Sequence, residues 1–379
     1  MTEPGPRGSR IARLEAFALR APIRPRRGVS IAWAAEHGYL LLRLEDRDGA
    51  VGWGETYLVT GAEAAVEAAR ALVLDQPPDD VTAILRAVRD ATEHPYATSA
   101  LAVALDDLRA RRLGLPIAAL HGGFVRREAR AYAASGGYRE GEPTATTWPA
   151  ELESAVAAGF SALKLRIGRG GLAEEAPLLR DLARQAPAGF ALLADGNGGF
   201  TAPRAAAMAR VLSDLGFGWF EEPLRQWDGY AGYERLRADL TVPLAGGEVL
   251  MSRSAARDLL RRGGVDIVQP DPVICGGIGE ALFLAGLAAL DGVPCVLHTS
   301  NGAIGIAAAM ATLAAMPRLA PVAGEDLPEL EWGLDENPWR TDVADLPAIG
   351  PGGRVTLPTG LGLGIEVDEP FVRRMAATA

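Results

Sequence analysis

Five residues able to do proton or metal chemistry follow one another along this chain: Asp195, Glu221, Glu248, Asp271 and His298, spaced 26, 27, 23 and 27 residues apart. Each comes just after a short apolar run, as in Leu193-Ala194-Asp195 and Trp219-Phe220-Glu221. Singly, each acid reads as a helix cap or a first-turn acid favoured by the helix dipole. Three carboxylates brought to one rim would instead repel strongly unless a cation lay among them. An all-oxygen donor set without cysteine suits a hard ion, Mg²⁺ before others. A carboxylate beside an imidazole fixes its tautomer and raises its basicity, so Asp271 with His298 reads as an oriented general base. Lys164 and Arg166 lie two apart on one strand and face the same side. Buried cations are costly unless they serve an anion, either a core acid or a bound ligand. His37, His94 and His121 lie in the N-terminal third or just after it and read as surface or capping residues.

The intervals imply the elements that must position these groups. Ala129–Ala134, Ala162–Ile167, Phe190–Ala194, Gly218–Phe220, Val242–Ala245, Asp266–Gln269 and Cys295–Leu297 are candidate strands separated by helical stretches. Strands alternating with helices imply parallel βαβ units with right-handed crossovers. They form an open sheet or, given the number of units, a closed barrel of roughly 31 residues per unit. The polar residues sit at the carboxyl ends of the strands, the end where barrel enzymes build their active sites. Before these units, residues 10 to 56 alternate like antiparallel strands, and Gly61 to Gly114 is helical with a break at Pro77-Pro78, an α+β arrangement. After Asn337 the density of Gly and Pro predicts an irregular tail over the surface.

Composition sets outer bounds. A chain of 379 residues, 49% hydrophobic, can bury a large core in two domains. A formal charge of −10 speaks against a nucleic-acid partner. It leaves room for a small anionic substrate, because a bound cation reverses the local field. Cys275 and Cys295 read as reduced core thiols. No apolar run reaches membrane-spanning length, and the opening Met1-Thr2-Glu3-Pro4-Gly5 has no signal-peptide core, so no membrane association and a cytoplasmic location are expected.

Taken in order, Lys164-Leu165-Arg166, Asp195-Gly196-Asn197, Glu221-Glu222-Pro223, Gly246-Gly247-Glu248, Gln269-Pro270-Asp271 and His298 resemble the signature of the enolase superfamily, mandelate racemase subgroup. Gly52-Trp53-Gly54-Glu55, Ala104-Leu105-Asp106-Asp107-Leu108, Gly114-Leu115-Pro116 and Leu330-Glu331-Trp332 extend the resemblance over nearly the whole chain. The resemblance implies a modified (β/α)₇β TIM-like barrel over residues 129–345. An α+β capping domain over 1–128 would be completed by the tail 346–379. It implies Mg²⁺ on Asp195, Glu221 and Glu248, with Asn197 and Glu222 supporting the metal shell. His298, oriented by Asp271, would be an acid/base. Lys164 and Glu331 would act on the substrate carboxylate. A homo-oligomer is expected as well.

One position departs from the family's pattern. Many relatives carry a second lysine as the base on the face opposite the histidine, where this chain has Arg166. Guanidinium, with a pKa above about 12, is a poor proton acceptor at neutral pH. A one-sided reaction on a carboxylate substrate is therefore expected, dehydration of an aldonic or aldaric acid first. A racemase, epimerase or lactone cycloisomerase is the alternative, and a catalytically silent carboxylate-binding protein the remote one. Arg166 itself reads as an anchor for a second carboxylate or as a depressed base. Arg24, Arg26 and Arg27 read as a solvated basic turn or a distal anion site.

Overall fold

The computed structural model describes residues 8–238, 240–317 and 329–377. The opening pentapeptide and the last two tail residues, on which some of the expectations above fall, lie outside that set. Three long antiparallel strands come first: Ile11–Gly28, Trp33–Asp46 and Val51–Tyr57. Three helices follow, Ala62–Val73, Val81–Thr92 and Pro95–Arg112, with Pro77-Pro78 between the first two as expected. The third helix lies so close on strand Val51–Tyr57 that a β-carbon at Gly52 or Gly54 would collide with the carbonyls of Ala104 or Ala100. Glycine at both positions is what lets helix and sheet meet.

The second half is a ring. Strands Glu128–Gly136, Ala162–Arg166, Ala191–Asp195, Phe220–Glu221, Leu244–Gly246 and Ile267–Val268 are joined in parallel, and Leu330–Trp332 pairs with the first of them. Parallel bridges from Val268 to Cys295 and from Leu297 to Leu330 insert segment 295–297 as the remaining stave. Eight staves with a helix after each of the first seven make a (β/α)₇β barrel.

Alternation along each stave divides the side chains. Leu163, Leu165, Leu192, Ala194, Phe220, Val268 and Leu297 pack outward against the helices. Tyr132, Ala162, Leu193, Trp219, Ala245, Ile267 and Val296 plug the barrel interior. Two residues beyond interior positions on five staves come Lys164, Asp195, Glu221, Gln269 and His298, at the carboxyl-end rim.

The tail differs from its expected irregularity. Arg354–Thr356 pairs antiparallel with the first barrel strand, and helix Glu369–Ala376 packs on strand Ile11–Gly28. Val355, Leu357, Leu363, Ile365 and Val372 are buried. The glycines and prolines punctuate short elements without preventing them. Among the described residues no helix is long and apolar enough to cross a membrane.

Buried Glu55, at the far end of the Gly52-Trp53-Gly54-Glu55 run, joins the two halves. Its carboxylate accepts from Gly302 N at 2.6 Å and Gly305 N at 3.2 Å, at the start of barrel helix Ala303–Ala315. Burial pushes its pKa up to about 7, although the backbone N–H groups of the helix start pull the other way. An acid whose folded pKa lies above its unfolded value loses stabilising power as pH rises between the two. Relative to Glu55→Gln, the parent protein is expected to lose roughly 3 kcal/mol between pH 4.5 and 7. Urea unfolding of both proteins across that window measures it, and parallel curves would refute it.

Candidate active site

The rim gathers every residue that the sequence singles out for chemistry, and buries nearly all of them. Lys164 is fully enclosed. Its Nζ lies 2.7 Å from Glu221 Oε1, 2.8 Å from Glu331 Oε1 and 3.8 Å from Asp195 Oδ2. One ammonium thus links acids from the third, fourth and eighth staves, the core ion-pair alternative for this residue. Those acids hold Lys164 protonated against burial.

Each acid is also fixed by a second set of donors. Asp195 accepts from Asn197 N at 2.8 Å and Asn197 Nδ2 at 2.9 Å. Glu221 Oε2 accepts from Trp219 Nε1 at 3.1 Å and Gln269 Nε2 at 2.8 Å. Glu222 turns toward the next strand, accepting from Tyr230 Oη at 2.7 Å, Gly247 N at 3.0 Å and Glu248 N at 3.3 Å. It thereby shapes the turn that presents Glu248. Asn197 and Glu222 both adopt positive φ, 42° and 37°, just after an acid of the trio. Strain in non-glycine residues at such places is held by the surrounding bonds.

Glu248, just past the stave next to Glu221's, brings its Oε2 to 3.2 Å from His298 Nε2. His298 Nδ1 is 2.9 Å from Asp271 Oδ2. With Nδ1–H committed to Asp271, Nε2 is the nitrogen whose proton exchanges, and it faces the acids. Burial lowers the pKa of this imidazole, but Glu331, Glu248 and Asp271 outweigh it and bring it to about 10, so beside unneutralised acids the ring keeps both protons. A dication on Glu248 would weaken that field and free Nε2 to accept one. Glu331, held near 2 by Lys164, His298 and Arg166 against its burial, also accepts from Thr299 N at 3.1 Å.

The donors fit a hard divalent cation. Asp195, Glu221 and Glu248 offer only oxygen, and Asn197 Oδ1 is buried without a hydrogen-bond partner. Glu221 is pushed up to about 7 by burial and by Asp195 and Glu331, with Lys164 opposing. That mutual repulsion is what a dication relieves. Among the described residues, no three acids or imidazoles already stand converged as a ligand set. Lys164 and His298 instead partner the acids.

Arg166 points into the rim beside Lys164, donating to Ala134 O at 3.3 Å, and makes no ion pair among the described residues. Burial opposes its charge, but Asp195, Glu331, Glu221 and Asp335 keep it protonated, which speaks against a role as base. It lines a cleft of about 450 Å³ between the N-terminal sheet and the barrel mouth, together with Arg27, Trp33, His37, Tyr57 and Ser300. Arg26 and Arg27 lie near the end of strand Ile11–Gly28, not in a solvated turn as expected, and pair with the barrel acids Glu140 and Glu151. His94 caps helix Pro95–Arg112 and His121 pairs with Asp106, as their positions suggested. His37, on the cleft wall 3.4 Å from Asp335, is more than a surface residue.

Sequence reasoning missed Gln269, Trp219, Tyr132 and Tyr57 as members of the site. Tyr132 Oη reaches Glu331 at 3.5 Å, with Lys164 Nζ 5.7 Å from its ring centre. The signal for Gln269 and Trp219 was available in the strand alternation, since both precede a site acid by two residues.

Comparison with known proteins agrees with this architecture. Residues 13–122 match the mandelate racemase / muconate lactonizing enzyme N-terminal domain, and residues 148–371 match the enolase C-terminal domain-like family. The chain is 34% identical to D-galactarolactone cycloisomerase of Agrobacterium fabrum over 87% of its own length and 89% of that protein's. It is 29% identical to D-galactonate dehydratase of Ralstonia nicotianae, over 90% and 92% of the two chains. Among solved structures, a putative mandelate racemase from Bordetella bronchiseptica superposes with a TM-score of 0.88 at 30% identity, covering 97% of this chain and 94% of that one.

Proposed function

The chain is a member of the mandelate racemase/muconate lactonizing enzyme family of the enolase superfamily, and from that membership we propose that it is a Mg²⁺-dependent acid-sugar dehydratase. The observation that carries the reading is His298, oriented by Asp271, with its basic Nε2 turned to the same rim as Asp195, Glu221 and Glu248. Asp195, Glu221 and Glu248 would hold a dication, which would supply positive charge against the charge that builds up on the substrate carboxylate when its α-proton is lost.

The remaining work falls to the chain's own groups. Lys164 addresses the substrate carboxylate by charge; Glu331, held ionised by Lys164, His298 and Arg166, would donate a hydrogen bond to it only after taking up a proton. Asn197 and Glu222 hold the acids in place. His298 Nε2 takes the α-proton, and the electron pair left on carbon expels the β-hydroxyl. The same imidazole returns its proton to the departing hydroxyl, which leaves as water, and the enol product becomes a 2-keto-3-deoxy acid. Arg166, which stays protonated, anchors a second carboxylate, so an aldaric diacid suits the site better than an aldonic acid.

The 34% identity to a galactarolactone cycloisomerase favours a second reading, isomerisation of a sugar-acid lactone by the same proton abstraction. A panel of aldonic acids, aldaric acids and their lactones, incubated in D₂O with the Mg²⁺-loaded protein, separates the two. Ketone formation with loss of one water is the expected result. A product that loses no water and is heavier only by the deuterium taken up at carbon establishes the isomerase, and Mg²⁺ binding without α-proton exchange across the panel overturns both in favour of a silent carboxylate-binding protein.

A further inference from the structure

Asp271, the residue that orients His298, is saturated. Its Oδ1 accepts from Val273 N at 2.9 Å and Asn301 Nδ2 at 3.4 Å, and its Oδ2 from His298 Nδ1 at 2.9 Å and Tyr57 Oη at 3.0 Å. Three of these donors belong to the barrel. Tyr57 does not: it ends strand Val51–Tyr57 of the N-terminal sheet, and is 214 residues away from Asp271 in sequence.

The phenol does two jobs at once. While donating to Asp271 it accepts from Ser300 N at 3.2 Å, two residues beyond the imidazole. The carbonyl of the same Ser300 accepts from Tyr39 Oη at 2.8 Å, and Asn337 Nδ2 donates to that hydroxyl at 3.1 Å. Two tyrosines of adjacent strands, with ring centres 6.0 Å apart, thus grip one residue from both its N–H and its C=O. Burial and Asp271 keep the Tyr57 phenol protonated, so the donor is always present.

A carboxylate oxygen shared by two donors has its direction set by both. Without Tyr57, Oδ2 would be held by His298 alone, and the carboxylate, anchored only through Oδ1, could turn about that anchor with the ring it is meant to fix. We propose that Tyr57 is a positioning residue for proton transfer, through which the placement of the N-terminal sheet sets the direction of the His298 imidazole. The role extends the reading of His298 as base, yet the geometry on which it rests is present before any substrate binds.

The test is Tyr57→Phe, which keeps the ring and removes only the hydroxyl, with Tyr39→Phe as its counterpart on the same residue, Ser300. In Mg²⁺-loaded protein labelled with ¹⁵N-histidine, the Nδ1–H resonance of His298 reports its bond to Asp271 at fixed pH. Tyr57→Phe is expected to shift or broaden that resonance, and Tyr39→Phe to leave it in place. On an acid found active in the panel above, Tyr57→Phe lowers kcat roughly tenfold, as losing a supporting hydrogen-bond partner does, with KM within about twofold. An unmoved resonance in Tyr57→Phe overturns the proposal, as does an equal change in both variants or a rise in KM at constant kcat. If no acid in the panel reacts, the dehydratase reading fails while the resonance still decides this one.

Discussion

Turnover by His298→Asn is expected to fall about 10³-fold, the share of catalysis that a positioned base supplies, while Mg²⁺ affinity stays within a few-fold of the parent's. The substitution is nearly conservative in shape, and the amide can still donate toward Asp271 as Nδ1–H does. What it lacks is the basic lone pair on Nε2, the atom that lies 3.2 Å from Glu248 and 3.9 Å from Glu331. Steady-state rates on the best acid of the panel, with calorimetric titration of Mg²⁺ alone, separate the two effects. Activity within tenfold of the parent would mean that some other group takes the proton.

Lys164→Met carries the largest expected effect on stability. The side chain is fully buried and its ammonium is shared by Glu221, Glu331 and Asp195, so its removal leaves three enclosed acids facing one another. Breaking a buried pair from one side costs about 3–5 kcal/mol, because the remaining charge is uncompensated. A dication that binds only the folded state should restore part of this loss by mass action. Thermal unfolding with and without saturating Mg²⁺ is therefore expected to show a lower midpoint in the variant, and a larger Mg²⁺-induced rise than in the parent. An equal response in both proteins would separate the metal from this cluster of acids, and the assignment of ligands with it.

The legibility of this chain follows from how local each signal is. Asp195, Glu221 and His298 could be placed because each ends a stave whose apolar residues are contiguous in sequence, and a period of two then fixes which side they face. Strand Leu330–Trp332 was legible only as part of a family motif, since three residues carry too little alternation to be read as a strand. The antiparallel pairing of Arg354–Thr356 with Glu128–Arg130 depends on a partner more than 200 residues away. Within the site, the acids were visible but their supports were not. Glu222 turns to the turn before Glu248 through its bonds to Tyr230 and Gly247, from a backbone of positive φ that no spacing rule reveals. Lys164 was seen as a cation in need of an anion, and the fold supplies three.

One wall of the cleft comes from the N-terminal strands and the acids come from the barrel, so that wall and the acids can diverge at different rates. A descendant that exchanged Trp33 or His37 would meet a new molecule with its proton-transfer apparatus intact. Tyr57 is where that independence ends, because it belongs to the wall by position and to the base by its hydrogen bond. Grafting a foreign N-terminal sheet onto this barrel would change substrate range freely at most sites, but would have to inherit that one hydroxyl.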